Sequence, residues 1–155
     1  MNQEVYDILV GARVSLLRKK PFFGNLVMNL KLIEMSKEES KQIFGSGIPT
    51  ACTNGISIRW NPHYFLALEP KGRISILVHE IWHVAYMHML RRGNRNPKIW
   101  NYACDTILDN MMDYEGYDVS SALFPVSCGF PPDSKTFVNH DYDDMSAEMI
   151  YDEMM

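Results

Sequence analysis

The feature that most constrains this chain is the sequence HEIWH at residues 79–83, an H-E-x-x-H pattern. It lies within Ile74 to Leu90, the longest apolar-periodic stretch, which predicts a central helix. Residues four positions apart lie on one helix face, so His79 and His83 can share a metal ion. Glu80 lies on the neighbouring edge, where it can reach a metal-bound water without binding the metal. The pattern therefore predicts a zinc site with Glu80 as general base.

A catalytic zinc ion usually has three protein ligands and a water, so a third ligand must be found. On a continuous helix His88 points about 140° away from His83, so it can join the pair only if the helix breaks. In the next predicted helix, Asn101, Asp105 and Asp109 recur every four residues along the polar edge of an apolar face. We predict Asp105 as the third ligand, because it borders the predicted buried arc, and keep Asp109 as the alternative.

Hydrophobic periodicity predicts the remaining elements. Helices are expected over about residues 3–19, 74–90 and 97–114, with a short last helix capped by Ser146. Short strands are expected over Leu26 to Ile33 and Ile56 to Trp60, the second entered by the turn at residues 54–55. Residues 36–44 fit either a short helix or a polar loop, and residues 116–144 predict a long surface loop. The pattern indicates a single domain.

The composition limits the classes of function. Hydrophobic residues make up 46% and charged residues 22%, as in an ordinary globular domain. The net charge of −4 gives no general attraction to nucleic acid or anionic lipid. The longest unbroken apolar run, Tyr64 to Leu68, is far shorter than the ~20 residues that span a bilayer. The 3 cysteines lack C-x-x-C spacing. We expect a cytoplasmic protein without a nucleic-acid or membrane partner.

Further short motifs accompany HEIWH in order along nearly the whole chain. They are Ala12-Arg13 with Leu16-Leu17, PFFG at 21–24, TACTNG at 50–55, Asn61-Pro62, LV at 77–78 before HEIWH, His88 with Arg91-Arg92, WNYACD at 100–105, and SAE at 146–148 with IYD at 150–152. With these motifs the chain resembles the "putative metallopeptidase domain" family of bacteria and phages, which often precedes a von Willebrand factor A-like domain.

The resemblance implies a zincin-like α+β fold with a small sheet beside the active-site helix. It also implies His79 and His83 as zinc ligands, Glu80 as base and Asp105 as the remaining ligand. Where relatives tend to have Asn four residues after that aspartate, this chain has Asp109, so Asp109 stays open as a ligand. No von Willebrand-like domain follows residue 155, which leads us to expect a C-terminally truncated domain or a lone short form.

We therefore predict a zinc-dependent metallopeptidase in which Glu80 activates the metal-bound water and then protonates the leaving amine. Imidazole and carboxylate ligands also tolerate other divalent ions, so zinc is an expectation. The peptide or protein substrate could pair with the strand Ile56 to Trp60, or that strand could be part of the core. The sequence does not choose the oxyanion partner among His88, Tyr86, Tyr102 and Tyr117.

The alternative function is a catalytically silent interaction module whose metal site only stabilises the fold. Methionines near the chain end could dock a C-terminal partner domain or a partner protein, although filling the core is the simpler explanation of these residues. A structural metal site needs two histidines but has no use for Glu80 beside them. The acid therefore favours the enzyme.

Overall fold

A computed structural model describes residues 3–36, 38, 50–128 and 130–155. The helices and strands of this part of the chain are α1 Gln3–Lys19, α2 Pro21–Met28, β1 Lys31–Glu34, β2 Ala51–Thr53, β3 Ser57–Trp60, α3 Pro62–Ala67, α4 Pro70–Ala85, α5 His88–Arg91, α6 Pro97–Tyr114 and α7 Ala147–Met154. Mainly helical structure beside a small sheet confirms the predicted α+β class.

Helix α1 confirms the helix predicted over residues 3–19, whereas the strand predicted after it is partly wrong. The strand expected from Leu26 is wrong at its start, because residues 26–28 complete α2 and β1 begins only at Lys31. Pro21 lies in the first turn of α2, where its fixed φ favours a helix. Gly24 lets α2 approach α1, since a Cβ at this position would lie 2.2 Å from the Cα of Leu17. The close packing of the two helices thus overrides the strand propensity of residues 26–28.

Replacing Gly24 with Ala is expected to destabilise the fold by about 1–3 kcal/mol, because the added methyl forces α2 away from α1. Urea unfolding followed by circular dichroism measures the change. Gly11→Ala is the matched control, since Gly11 lies in α1 with nothing within 4 Å of its added Cβ. There the loss of glycine should stabilise the helix by about 0.5–1 kcal/mol. Equal unfolding free energies for the two variants would contradict the role of Gly24.

The three strands are ordered β1-β3-β2, with β1 parallel and β2 antiparallel to β3. The predicted strand at residues 56–60 is confirmed as β3, and β2 was not predicted. Asn54 and Gly55 turn the chain between β2 and β3, with Gly55 at a φ of 89°. Because β3 pairs on both sides, the hypothesis that it offers a free edge to a substrate is wrong. Among the described strands the two edges are β1 and β2, each of which pairs only with β3.

The central helix differs from its prediction at both ends. It begins at Pro70, in the first helical turn, and ends at Ala85. The prediction of a continuous helix to Leu90 is wrong, because Met87 adopts a left-handed conformation with a φ of 55°. Apart from glycines, no other described residue has a positive φ. The short helix α5 therefore leaves α4 in a new direction.

The main core lies between α1, α2, β3, α4 and α6. These elements contribute, among others, Leu16, Val27, Ile58, Ile81 and Leu108, all at most 5% exposed. Because a helix turns about 100° per residue, α4 can bury Ile81 in this core while residues 79 and 83 face another side. The core thus fixes the orientation of the predicted site.

The remaining predictions concern the C-terminal half. Helix α6 is confirmed, and Asn96 caps it by accepting the N–H groups of residues 98 and 99. Ser146 caps α7 as predicted. Residues 116–144 form an irregular segment with three short 3₁₀ turns in its described part.

The choice between helix and loop for residues 36–44 lies almost entirely outside the described residues. None of the described helices combines the length and apolar character needed to cross a membrane.

Candidate metal centre

Helices α4 and α6 pack together and bring three of the predicted residues into contact. The Nε2 atoms of His79 and His83 lie 3.0 Å apart. Oδ1 of Asp105 lies 3.1 Å from each of these nitrogens. Among the described residues this is the group of three side chains whose donor atoms could surround one metal ion. The structure therefore brings together the three side chains that the sequence analysis selects as ligands.

The donor atoms fit a metal ion better than they fit a hydrogen-bonded cluster. Two imidazole nitrogens carry at most two protons and an ionised carboxylate none, so hydrogen bonds cannot satisfy all three contacts. A tetrahedral zinc ion with bonds of about 2.0–2.1 Å separates its ligand atoms by roughly 3.3–3.4 Å. The observed separations are only slightly shorter. Two imidazoles and a carboxylate are also a common donor set for zinc.

The Asp105 carboxylate favours cation binding, whereas His79 must release its proton before its Nε2 can bind a metal ion. Burial raises the pKa of Asp105, but hydrogen bonds and charges from His79 and His83 outweigh burial and hold this pKa well below its usual range. Burial lowers the pKa of His79, but hydrogen bonds to Asp105 and Asp109 reverse the effect and raise it well above 6.5. The Asp105 carboxylate therefore stays ionised, as a metal ligand must be.

Glu80 lies in the same cleft but outside the cluster of donor atoms. Glu80 is 8% exposed, and burial raises its pKa although His83 and His79 act in the opposite direction. A raised pKa makes the carboxylate a stronger base, which favours the uptake of a proton from water. This placement suits the predicted role of general base.

Each histidine of the cluster has a second partner at its other ring nitrogen. Nδ1 of His79 lies 3.4 Å from Oδ1 of Asp109, and Nδ1 of His83 lies 3.1 Å from Nδ1 of His88. The second oxygen of Asp109 accepts the backbone N–H of Phe137 at 2.8 Å. Asp109, the alternative ligand, is thus placed behind the ring of His79, away from the donor cluster. Burial, with His83 and Arg91 nearby, lowers the pKa of His88 to about 3.

The cluster opens into a cleft of about 500 Å³. One wall is formed by residues 50–53, which include β2, and others by residues 123–124 and 136–137. Sequence reasoning missed these walls, because β2 is too short for its periodicity to stand out and residues 136–137 lie in irregular structure. The cleft has the size of a binding site for a small ligand or a short stretch of peptide.

The structure distinguishes among the four candidates for an oxyanion partner by whether they line the cleft. Only His88 lines the cleft. Tyr86 stacks on His88, Tyr102 packs against Phe137, and Tyr117 packs against Trp82 in the core. The three tyrosines are thus engaged in packing outside the cleft.

The H-E-x-x-H helix and the second helix, which supplies a carboxylate, together form a candidate site for one metal ion. This site places the chain in the class of candidate mononuclear metalloproteins. Residues 8–155 match the family model described as "Putative metallopeptidase domain", and the chain belongs to this family. The resemblance stated above is thereby confirmed. No curated protein and no solved structure matches the chain. The zincin-like arrangement accordingly stays a prediction.

Proposed function

We propose that this protein is a zinc-dependent metallopeptidase. The observation that carries the proposal is the convergence of His79, His83 and Asp105 at 3.0–3.1 Å beside the buried Glu80. A structural metal site would need the three donors but neither the acid nor the cleft. Membership of the family supports a peptide as substrate.

In this proposal His79, His83 and Asp105 hold the zinc ion. When bound there, zinc supplies a Lewis acid that polarises the peptide carbonyl and lowers the pKa of a water molecule. Glu80 accepts a proton from the attacking water while the oxygen of that water forms a bond to the carbonyl carbon. The C–N bond then breaks, and Glu80 returns the proton to the leaving amine. The products are a carboxylic acid and an amine, so atoms and protons balance.

The position of β2 supports an extended substrate. β2 lines the cleft and pairs with β3 on one side, and no described strand covers its other side. A peptide could align there by main-chain hydrogen bonds, the common mode of strand addition. We assign to β2 the role that the sequence analysis gave to residues 56–60.

Two further parts of the proposal concern location and partners. Cys52, Cys104 and Cys128 form no disulfide, which suits a reducing cytoplasm. The exposed Met149 and Met155 could contact a C-terminal partner domain or protein, such as a von Willebrand factor A-like domain.

Zinc removal and restoration test the proposed function. We expect about one zinc ion per chain, measured by elemental analysis of the folded protein after exposure to zinc and desalting. The loaded protein should cleave members of a mixed peptide library, detected by mass spectrometry. Dialysis against a chelator should abolish cleavage, because the proposed chemistry requires the ion, and added zinc should restore it.

The possible outcomes separate the two functions. Folded protein that takes up no zinc would overturn the metallopeptidase. Stoichiometric zinc without cleavage of any library member would favour the silent interaction module. A catalytically inactive variant, such as Glu80→Gln, serves as the control for contaminating peptidases, since it is purified in the same way.

A further inference from the structure

The break between α4 and α5 places His88 where a continuous helix could not. Without the break His88 would point about 140° away from His83. The left-handed Met87, with a φ of 55° and a ψ of 34°, turns the chain so that the two rings meet. Left-handed backbone is strained for a residue with a side chain, and such strain persists only where the surroundings enforce it. The contact between His83 and His88 is therefore built into the fold.

Several contacts hold the His88 ring in place. His88 is 4% exposed, and its backbone carbonyl accepts the indole N–H of Trp100 at 2.9 Å. The Trp100 ring meets the His88 ring edge to face, with centroids 6.2 Å apart. Tyr86 stacks on His88 at 5.8 Å with an interplanar angle of 19°. Since these contacts restrict its backbone and its ring, His88 presents Nδ1 to His83 as a fixed group.

The two facing nitrogens must share one proton. A metal bound to Nε2 of His83 uses the lone pair of that atom, so the proton of the neutral ring lies on Nδ1. This N–H can donate to Nδ1 of His88, 3.1 Å away, if His88 carries its own proton on Nε2. The arrangement parallels that of His79, whose Nδ1 faces Asp109 at 3.4 Å.

We propose that His88 is a positioning residue that accepts a hydrogen bond from Nδ1 of His83 and so fixes the tautomer and orientation in which His83 binds the metal. Partners of this kind at metal-binding histidines typically change metal affinity by about 10–100-fold. The inference rests on the proposed zinc site. It does not depend on the substrate, because its readout is metal binding rather than hydrolysis.

The test compares zinc affinity in the full chain and in three variants. Zinc dissociation constants come from competition with a chromophoric chelator, and the visible spectrum of the cobalt-substituted protein reports the geometry of the site. His88→Leu removes the acceptor and should weaken zinc binding about 10–100-fold and change the cobalt spectrum. His88→Asn places an amide oxygen near the position of Nδ1 and should restore most of the affinity.

His63→Leu is the matched control, because His63 is an exposed histidine of α3 outside the cleft. It should bind zinc as the unsubstituted chain does. If folded His88→Leu keeps that affinity and that cobalt spectrum, the inference is overturned. A merely structural role would lower the unfolding free energy of His88→Leu without changing the spectrum of the folded protein.

A second measurement covers the case in which His88→Leu does not fold. In the unsubstituted zinc-loaded protein, nitrogen-15 NMR should show a scalar coupling between the two Nδ1 atoms across the hydrogen bond. Absence of this coupling would overturn the inference. If the folded chain takes up no zinc, the proposed function and this inference both fail. If zinc binds without any peptide cleavage, only the peptidase fails, and the affinities still decide the role of His88.

Discussion

Replacing Glu80 with Gln is expected to lower kcat for peptide hydrolysis about 10²–10⁴-fold, the usual contribution of a general base. Gln has nearly the shape of Glu but cannot accept the proton from the attacking water. Zinc should remain at about one ion per chain, because Glu80 lies outside the cluster formed by His79, His83 and Asp105. Steady-state kinetics on a peptide selected from the library, together with elemental analysis, measures both quantities.

Glu69→Gln is the matched control for this substitution. Glu69 precedes α4 and is exposed, so the same chemical change there removes a charge without touching the cleft. Its kcat and zinc content should equal those of the unsubstituted protein. An unchanged kcat in zinc-loaded Glu80→Gln would show that another group is the base. Loss of zinc from this variant would instead make Glu80 part of the binding site.

Replacing Asp105 with Ala is expected to weaken zinc binding by more than about 100-fold and to abolish hydrolysis. Loss of a hydrogen-bond partner of a metal ligand costs at most roughly 100-fold in affinity, and loss of the ligand itself should cost more. The substitution removes one of three donors and leaves His79 and His83 without the anion that faces both. Competition with a chelator measures the affinity, and circular dichroism checks that the chain folds.

Asp109→Ala provides the comparison within the same helix. Asp109 lies one turn after Asp105 but contacts the far nitrogen of His79, so its loss should weaken zinc binding only about 10–100-fold. Because Asp109 also accepts the N–H of Phe137, Asp109→Asn, which keeps an acceptor, replaces it if Asp109→Ala does not fold. A greater loss of affinity at residue 109 than at residue 105 would make Asp109 the third ligand.

Much of the fold could be predicted because its signals are local. The cap Ser146 acts within one helical turn, and the turn at Asn54-Gly55 depends on a backbone conformation that glycine readily adopts. The prediction was wrong where distant contacts decide. Residues 26–28 have the apolar side chains of a strand, yet they complete a helix whose Gly24 packs against Leu17. Such packing leaves no periodic trace in the sequence.

The candidate site divides in the same way. The spacing of His79 and His83 places both imidazoles on one helix face, and the position of Glu80 follows from the same geometry. The helix break at Met87 could not be predicted, because the contacts that hold His88 in place include one with Trp100 in α6. Which strand borders the cleft also depended on the order β1-β3-β2, which joins segments far apart in the chain.

The sequence by itself determined the helix of residues 79–83 with its paired histidines and acid, since the geometry within one turn depends only on neighbouring residues. The tertiary structure decided the surroundings of that pair. The packing of α4 against α6 set Asp105 before the histidines and Asp109 behind His79, although the two aspartates differ by a single helical turn. The helix break at Met87, held in part by a contact of His88 with Trp100 of α6, brought His88 to the back of His83. Contacts between helices depend on how whole faces fit together, and no local pattern specifies that fit.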